Sequence, residues 1–207
     1  IRRTWMRGPR PAFTAGERVV GPAFTLRFVP AREDLATPES WSSPNSTRTA
    51  IETMPEGAVV VADAMGSPDA GILGDILCAR MHKRGVAALV TDGALRDGAG
   101  VAGTGLPVWC AGVAAPPAVA ALTFVGAGEP IGCGGVAVFP NDVVVADGDG
   151  CVVIPAAFVE EVATLGPEQE LLELWIMKEV ERGVALPGLY PPSAETKARY
   201  EAGRARD

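Results

Sequence analysis

The chain has 207 residues, 48% hydrophobic and 21% charged, with 25 glycines, 18 prolines and a formal net charge of −7. This suits one ordinary globular domain, or two very small ones, with a real apolar core and many turns. The acidic balance argues against a nucleic-acid binder, which needs a basic face; basic residues gather only at Arg2, Arg3, Arg7 and Arg10 and at His82-Lys83-Arg84.

In chain order, Arg18–Val20 and Ala23–Val29 read as strands, the second ending at Pro30. Residues 31–50 are polar and proline-containing, a long loop with a helix start after Asn45; loops of this length in compact domains are often functional. Ala58–Ala62, ending at Asp63, is a continuous apolar run suited to a strand buried on both faces. A glycine-rich connection, Gly66 to Gly74, leads into a helix from Asp75 to Arg84. Its apolar Ile76, Leu77 and Met81 are expected inside and Arg80, Lys83 and Arg84 outside, and Gly85 ends it. Val86–Val90 is a second buried strand. The unit is β-α-β, so its strands should be parallel with a right-handed crossover.

Gly98–Gly103 spells G-x-G-x-x-G, but it neither follows a strand directly nor precedes an acidic residue at the dinucleotide spacing, so it reads as a flexible glycine loop. Residues 98–128 carry no charge, yet ten of these 31 residues are Gly or Pro; a spanning helix is rejected and no membrane partner is expected. Leu106–Ala111, Val136–Phe139, Val143–Ala146 and Cys151–Ile154 read as short strands. Pro140-Asn141-Asp142 and Asp147-Gly148-Asp149-Gly150 read as tight turns between them. Two helices follow, Ala156–Leu165 with Phe158, Val159 and Val162 inward, and Glu168–Arg182 with Leu171, Leu172, Leu174, Trp175 and Val180. We expect an α/β domain over 1–165, and over 166–207 a C-terminal helix and tail packed on it or on a neighbouring subunit.

The four cysteines form no CxxC pair and there is one histidine. Buried, reduced thiols in a cytoplasmic protein are the expectation, not a zinc site. The chain begins at Ile1, so further residues are expected before it. Asp63 and Asp92 end strands, where turn hydrogen bonds are the simplest role. Asp147 and Asp149 read as turn residues, and His82 as part of a solvated helix face.

Two segments carry chemistry. Gly74-Asp75-Ile76-Leu77 opens a helix, and Arg96-Asp97 follows the next strand, so both fall at the carboxyl edge of the parallel strands, where ligands bind in such sheets. A helix N-terminus offers unpaired N–H groups to a carboxylate, and Gly74 permits close approach. Arg96 can add a charge-assisted contact of about 1.5–3 kcal/mol. Asp97 is a hard oxygen ligand suited to Mg²⁺ or Mn²⁺. Taken singly, Asp75 could be a helix cap and Arg96-Asp97 a surface ion pair. A Schiff-base route would need a desolvated lysine, and Lys83, Lys178 and Lys197 all lie on polar faces or in the tail.

Asp75, twenty intervening residues, then Arg96-Asp97 resembles the signature of the RraA-like family. So do the stretches 83–93, 135–140 and 142–155. The family contains 4-hydroxy-4-methyl-2-oxoglutarate and 4-carboxy-4-hydroxy-2-oxoadipate aldolases as well as the regulator of RNase E activity. The resemblance covers about residues 17–165, and the C-terminal part resembles a longer branch. It implies a swivelling β/β/α fold assembled as a trimer or hexamer with interface sites. It also implies a divalent metal on Asp97, with Asp75 touching that metal through water. The pyruvate unit of an α-keto acid would be held by Arg96 and the amides of Gly74, Asp75, Ile76 and Leu77. The activity implied is metal-dependent retro-aldol cleavage with possible oxaloacetate decarboxylation, or, as the alternative, non-catalytic binding to a ribonuclease. The chain departs from the family at Gly98–Gly103, which replaces a short helix, and at Asn141, where glycine is common.

Overall fold

The computed structural model describes residues 1–13 and 18–204. The chain divides into two compact units, Ile1–Ala156 and Ala157–Asp207. The first contains β1 (Arg10–Ala12), β2 (Val19–Pro30), α1 (Thr47–Thr53), β3 (Val59–Asp63), α2 (Asp75–Lys83), β4 (Ala88–Thr91), β5 (Ala94–Leu95), α3 (Gly98–Gly103), β6 (Val108–Cys110) and β7 (Gly112–Val113). It continues with β8 (Leu122–Ala127), β9 (Ile131–Cys133), β10 (Val136–Val138), β11 (Val143–Asp147) and β12 (Gly150–Ile154).

The main sheet runs β1-β6-β4-β3-β2-β11-β12, with β8 also on β2. Its centre, β2-β3-β4-β6, is parallel, as the apolar runs at 58–62 and 86–90 imply. The two faces alternate along each strand. Val60, Ala62 and Leu89 join Ile51, Cys78 and Met81 in a core beneath α1 and α2. Val59, Val61, Ala88 and Val90 join Val136, Val138, Val144 and Val153 on the opposite face. One face is therefore closed by helices and the other by strands. The N-terminal segment reaches both ends of the sheet, pairing through β1 with β6 and bridging Val152 through Trp5. This curls the sheet upon itself and gives the β/β/α layering expected of the swivelling fold.

Asp63 and Asp92, at the ends of neighbouring parallel strands, accept turn and loop amides. Asp63 takes the N–H groups of Met65 (2.9 Å) and Gly132 (3.2 Å). Asp92, which is buried, takes those of Ala64 (2.9 Å) and Gly134 (3.1 Å). The Asp147 carboxylate accepts from Asp149 N–H within its turn, and Asn141 sits at φ +70°, left-handed as its turn requires. All four cysteines are free and buried; burial pushes the Cys78 and Cys151 thiols up to about 12.

Several expectations are corrected. The strands at Arg18–Val20 and Ala23–Val29 are one strand, β2, because Gly21 lets it run against Gly57, whose carbonyl would lie 2.4 Å from an added Cβ. Ile76 is not inside: it is 79% exposed, and Cys78 and Met81 fill the core side of α2. Gly98–Gly103 is a short helix, not a loop. In the second unit, the helices expected at Ala156–Leu165 and Glu168–Arg182 are one helix, α4 (Val159–Glu181), which passes through Pro167. Proline there frees the Ala163 carbonyl, but both residues are exposed and water satisfies it. Phe158, Val162, Leu171, Leu174 and Val180 are exposed. The buried stripe of α4 is Leu172, Ile176 and Glu179 instead. The tail contributes α5 (Ala194–Arg204). Glu179 accepts from Arg182 (2.7 Å) and Arg199 (2.6 Å), so a buried carboxylate pins α5 to α4.

Candidate functional site

The two predicted segments meet through backbone pairing. Residues 71–73 run beside β5: Ile72 N–H donates to Ala94 O (3.0 Å) and Arg96 N–H donates to Leu73 O (3.0 Å). Gly71 also bridges Ala94 and Pro117. The ladder tolerates no side chain at Gly71, where a Cβ would lie 2.5 Å from Arg96 N. One residue beyond it on each strand, Gly74 faces the Arg96-Asp97 pair, with its missing Cβ 2.7 Å from Asp97 Oδ2 and 3.2 Å from Arg96 Cγ. A glycine there is what lets the carboxylate lie against the opening of α2.

Asp97 holds φ +57° and ψ +42°, the left-handed region that non-glycine residues seldom occupy. Its carbonyl accepts from Val101 N–H (2.9 Å), which starts α3, but its side chain does not cap that helix. The carboxylate turns toward Arg96 instead, whose Nε donates to Oδ2 at 2.8 Å, while Oδ1 has no protein donor among the described residues. The two side chains are 37% and 40% exposed, so the pair is worth about 0–1 kcal/mol and is easily redistributed by a ligand. Asp75 lies next to Gly100, where a Cβ would come within 2.6 Å of its Oδ2. Gly100, one of the glycines that make α3 look like a loop, is thus what allows it to pack on Asp75. Asp75 Oδ1 accepts its neighbour's Ile76 N–H (2.7 Å), engaging one of the four candidate amides. Gly74 as N-cap supplies no side-chain acceptor to the rest.

These groups line one cleft of about 490 Å³, together with Phe28, Leu35, Trp41, Asn45, Arg48, Leu122 and Val125 among others. Gly74, Asp75, Ile76, Leu77, Arg96 and Asp97 all lie on it. Its size is that of a pocket for a small organic molecule. No lysine lines it, and His82 lies exposed on α2. Sequence reading missed Trp41 and Arg48, which belong to no motif; the unusual length of loop 31–50 was the only signal.

The donor set fits a hard divalent cation. Asp97 and Asp75 place carboxylate oxygens on the cleft, and the described residues hold no group of three or more His, Cys, Asp or Glu able to cage a metal. Mg²⁺ is commonly held by one or two carboxylates, with water and substrate completing its shell.

Residues 1–153 match the family model RraA-like (Aldolase/RraA). A candidate 4-hydroxy-4-methyl-2-oxoglutarate aldolase of Halalkalibacterium halodurans is 35% identical over 147 residues, covering 70% of this chain and 64% of that protein. Protein DlpA of Legionella pneumophila is 28% identical over 147 residues, covering 71% of this chain and 23% of DlpA. Both alignments thus span less than two thirds of the relative's own length. Among solved structures, Streptomyces coelicolor RraAS2, described as an unusual member of the RNase ES inhibitor RraA protein family, superposes with a TM-score of 0.75. It is 36% identical, and the match covers 84% of this chain and 83% of RraAS2. With the fold, the converging Asp75 and Arg96-Asp97 segments and these matches in agreement, the chain belongs to the RraA-like family.

Proposed function

We propose that the protein is a divalent-metal-dependent lyase that cleaves a 4-hydroxy-2-oxo acid to release pyruvate, and that the same site decarboxylates oxaloacetate. The observation that supports this most is the pairing of 71–73 with β5, which sets a guanidinium and a carboxylate against the uncapped opening of α2 inside one cleft. The similarity to the Halalkalibacterium protein points the same way.

In this reading the substrate's C1 carboxylate sits on the free amides of the first turn of α2, where the helix dipole favours negative charge. Arg96 turns from Asp97 toward the C2 oxygen and holds the charge that develops there as the C3–C4 bond breaks; a water takes the C4 hydroxyl proton, leaving a carbonyl at C4, and water returns a proton to C3 of the enolate to give pyruvate. Asp97 would hold Mg²⁺ or Mn²⁺, with Asp75 reaching it through water; the ion would supply Lewis acidity to the keto acid. None of the described lining residues is a lysine, so this chain's side of the cleft offers no amine for a covalent imine route. A trimer or hexamer in which a neighbouring subunit completes the cleft belongs to the same proposal.

The second reading, a ribonuclease-binding regulator without useful catalysis, is favoured by the similarity to RraAS2. A pyruvate-release screen separates the two. We expect release from oxaloacetate or a 4-hydroxy-2-oxo acid with Mg²⁺ or Mn²⁺, and its loss on adding EDTA. An inert keto-acid panel together with tight capture of a ribonuclease would establish the regulator instead.

A further inference from the structure

Two cations line the cleft, and they are in different states. Arg96 is paired with Asp97. Arg48 makes no ion pair among the described residues; its guanidinium stands over the Trp41 ring, 4.8 Å from the centroid. That stacking is worth about 0.5–1 kcal/mol at an exposed position. It orients the group while leaving its N–H donors to an anion.

The position of Arg48 relative to the keto-acid end follows from the ion pairs that join α1 and α2. Glu52 accepts from Arg80 Nε (2.8 Å) and Nη2 (2.7 Å) and from Arg84 Nη1 (3.3 Å). Glu52 lies as far past Thr47, the first residue of α1, as Arg80 lies past Asp75, the first of α2. Past their far ends Gly57 N–H donates to Gly85 O (2.8 Å), at the same offset along the chain, so the two helices run parallel and their opening turns are level; both turns line the cleft. Packed helix axes lie about 8–10 Å apart, so the turn that carries Arg48 lies roughly one helix spacing from the turn that carries Gly74 and Asp75. The lining also includes the apolar Trp41, Ile76 and Val125.

We infer that Arg48, shelved on Trp41, is a specificity-determining residue that selects an extended acid: one whose keto-acid end lies at Arg96, whose middle rests on apolar walls, and whose far end carries an anion. This builds on the proposed pyruvate-unit site. A span of one helix spacing suits an unbranched chain of roughly six or seven carbons better than a five-carbon one. Glu52 is a positioning residue that sets the distance.

The test is calorimetric binding to the full chain in Mg²⁺, without turnover. 2-Oxoglutarate, 2-oxoadipate and 2-oxopimelate are each compared with the 2-oxo monoacid of equal length, and 2-oxo-5-phosphonopentanoate is added to separate a terminal carboxylate from a terminal phosphonate. The expected preference for diacid over monoacid is about tenfold, largest for 2-oxoadipate or 2-oxopimelate, and collapses toward one in Arg48→Gln. Arg48→Lys should retain part of it, and Trp41→Ala should weaken it. A gain with either terminal group supports the inference and tells which anion is preferred. Absence of any diacid preference, or a preference that survives Arg48→Gln, overturns it. Neither result depends on the pyruvate-release screen, which can fail alone.

Discussion

Replacing Asp97 with alanine is expected to reduce pyruvate release to the uncatalysed background at any Mg²⁺ or Mn²⁺ concentration, while the protein stays folded. The two halves of this expectation have separate physical grounds. The Asp97 carboxylate does not cap α3, and its one protein partner is the exposed pair with Arg96. Removing it forfeits a pair worth about 0–1 kcal/mol, and alanine at the left-handed φ of +57° adds up to about 1–2 kcal/mol, so the melting temperature should fall only modestly. The cation, however, loses the carboxylate that lies against the opening of α2. Arg96→Ala should retain metal binding but lose about 10²-fold in kcat, the scale of removing one donor aimed at a developing oxyanion. Steady-state pyruvate release with both variants, alongside thermal melts, checks this. Unchanged rates in both would exclude the site; equal losses of rate and stability would show that the pair is structural.

The largest expected effect on stability is at Asp92. Its two oxygens accept the amides of Ala64 and Gly134, and the side chain is almost fully buried. Asp92→Ala leaves both N–H groups without their acceptor, at about 1–3 kcal/mol each, so the variant should lose roughly 2–6 kcal/mol. Asp63→Ala should lose less, since both of its amides, those of Met65 and Gly132, are exposed. Urea unfolding of the two variants measures the contrast. A loss below about 1 kcal/mol for Asp92→Ala would mean that water replaces the carboxylate. The same aspartate ties the loop after β3 to the turn at Gly134.

The parallel core was legible because Ala58–Ala62 and Val86–Val90 are unbroken apolar runs, and such runs are buried on both faces. The candidate residues were legible as two chain segments at a common sheet edge. Their contact was not, because it depends on the pairing of 71–73 with β5, a tertiary ladder without a local sequence signal. Ile76 was misplaced because helical periodicity assigns apolar residues inward, whereas the first turn of α2 opens on a cleft. Gly98–Gly103 looked like a loop because glycine is a poor helix former; at Gly100 the small residue is needed to admit Asp75. The two C-terminal helices were read apart across residues 166–167, a break that Pro167 on an exposed helix face does not require. Arg48 and Trp41 carry no motif and become visible only when loop 31–50 is folded over the cleft.

The most direct test is a crystal structure of the protein soaked with Mn²⁺ and oxalate, a planar mimic of the enolate of pyruvate. The account predicts an ion in contact with the Asp97 carboxylate, oxalate seated on the first-turn amides of α2, and Arg96 swung from Asp97 to an oxalate oxygen. Mn²⁺ and oxalate bound elsewhere, with the Arg96–Asp97 pair intact, would contradict it.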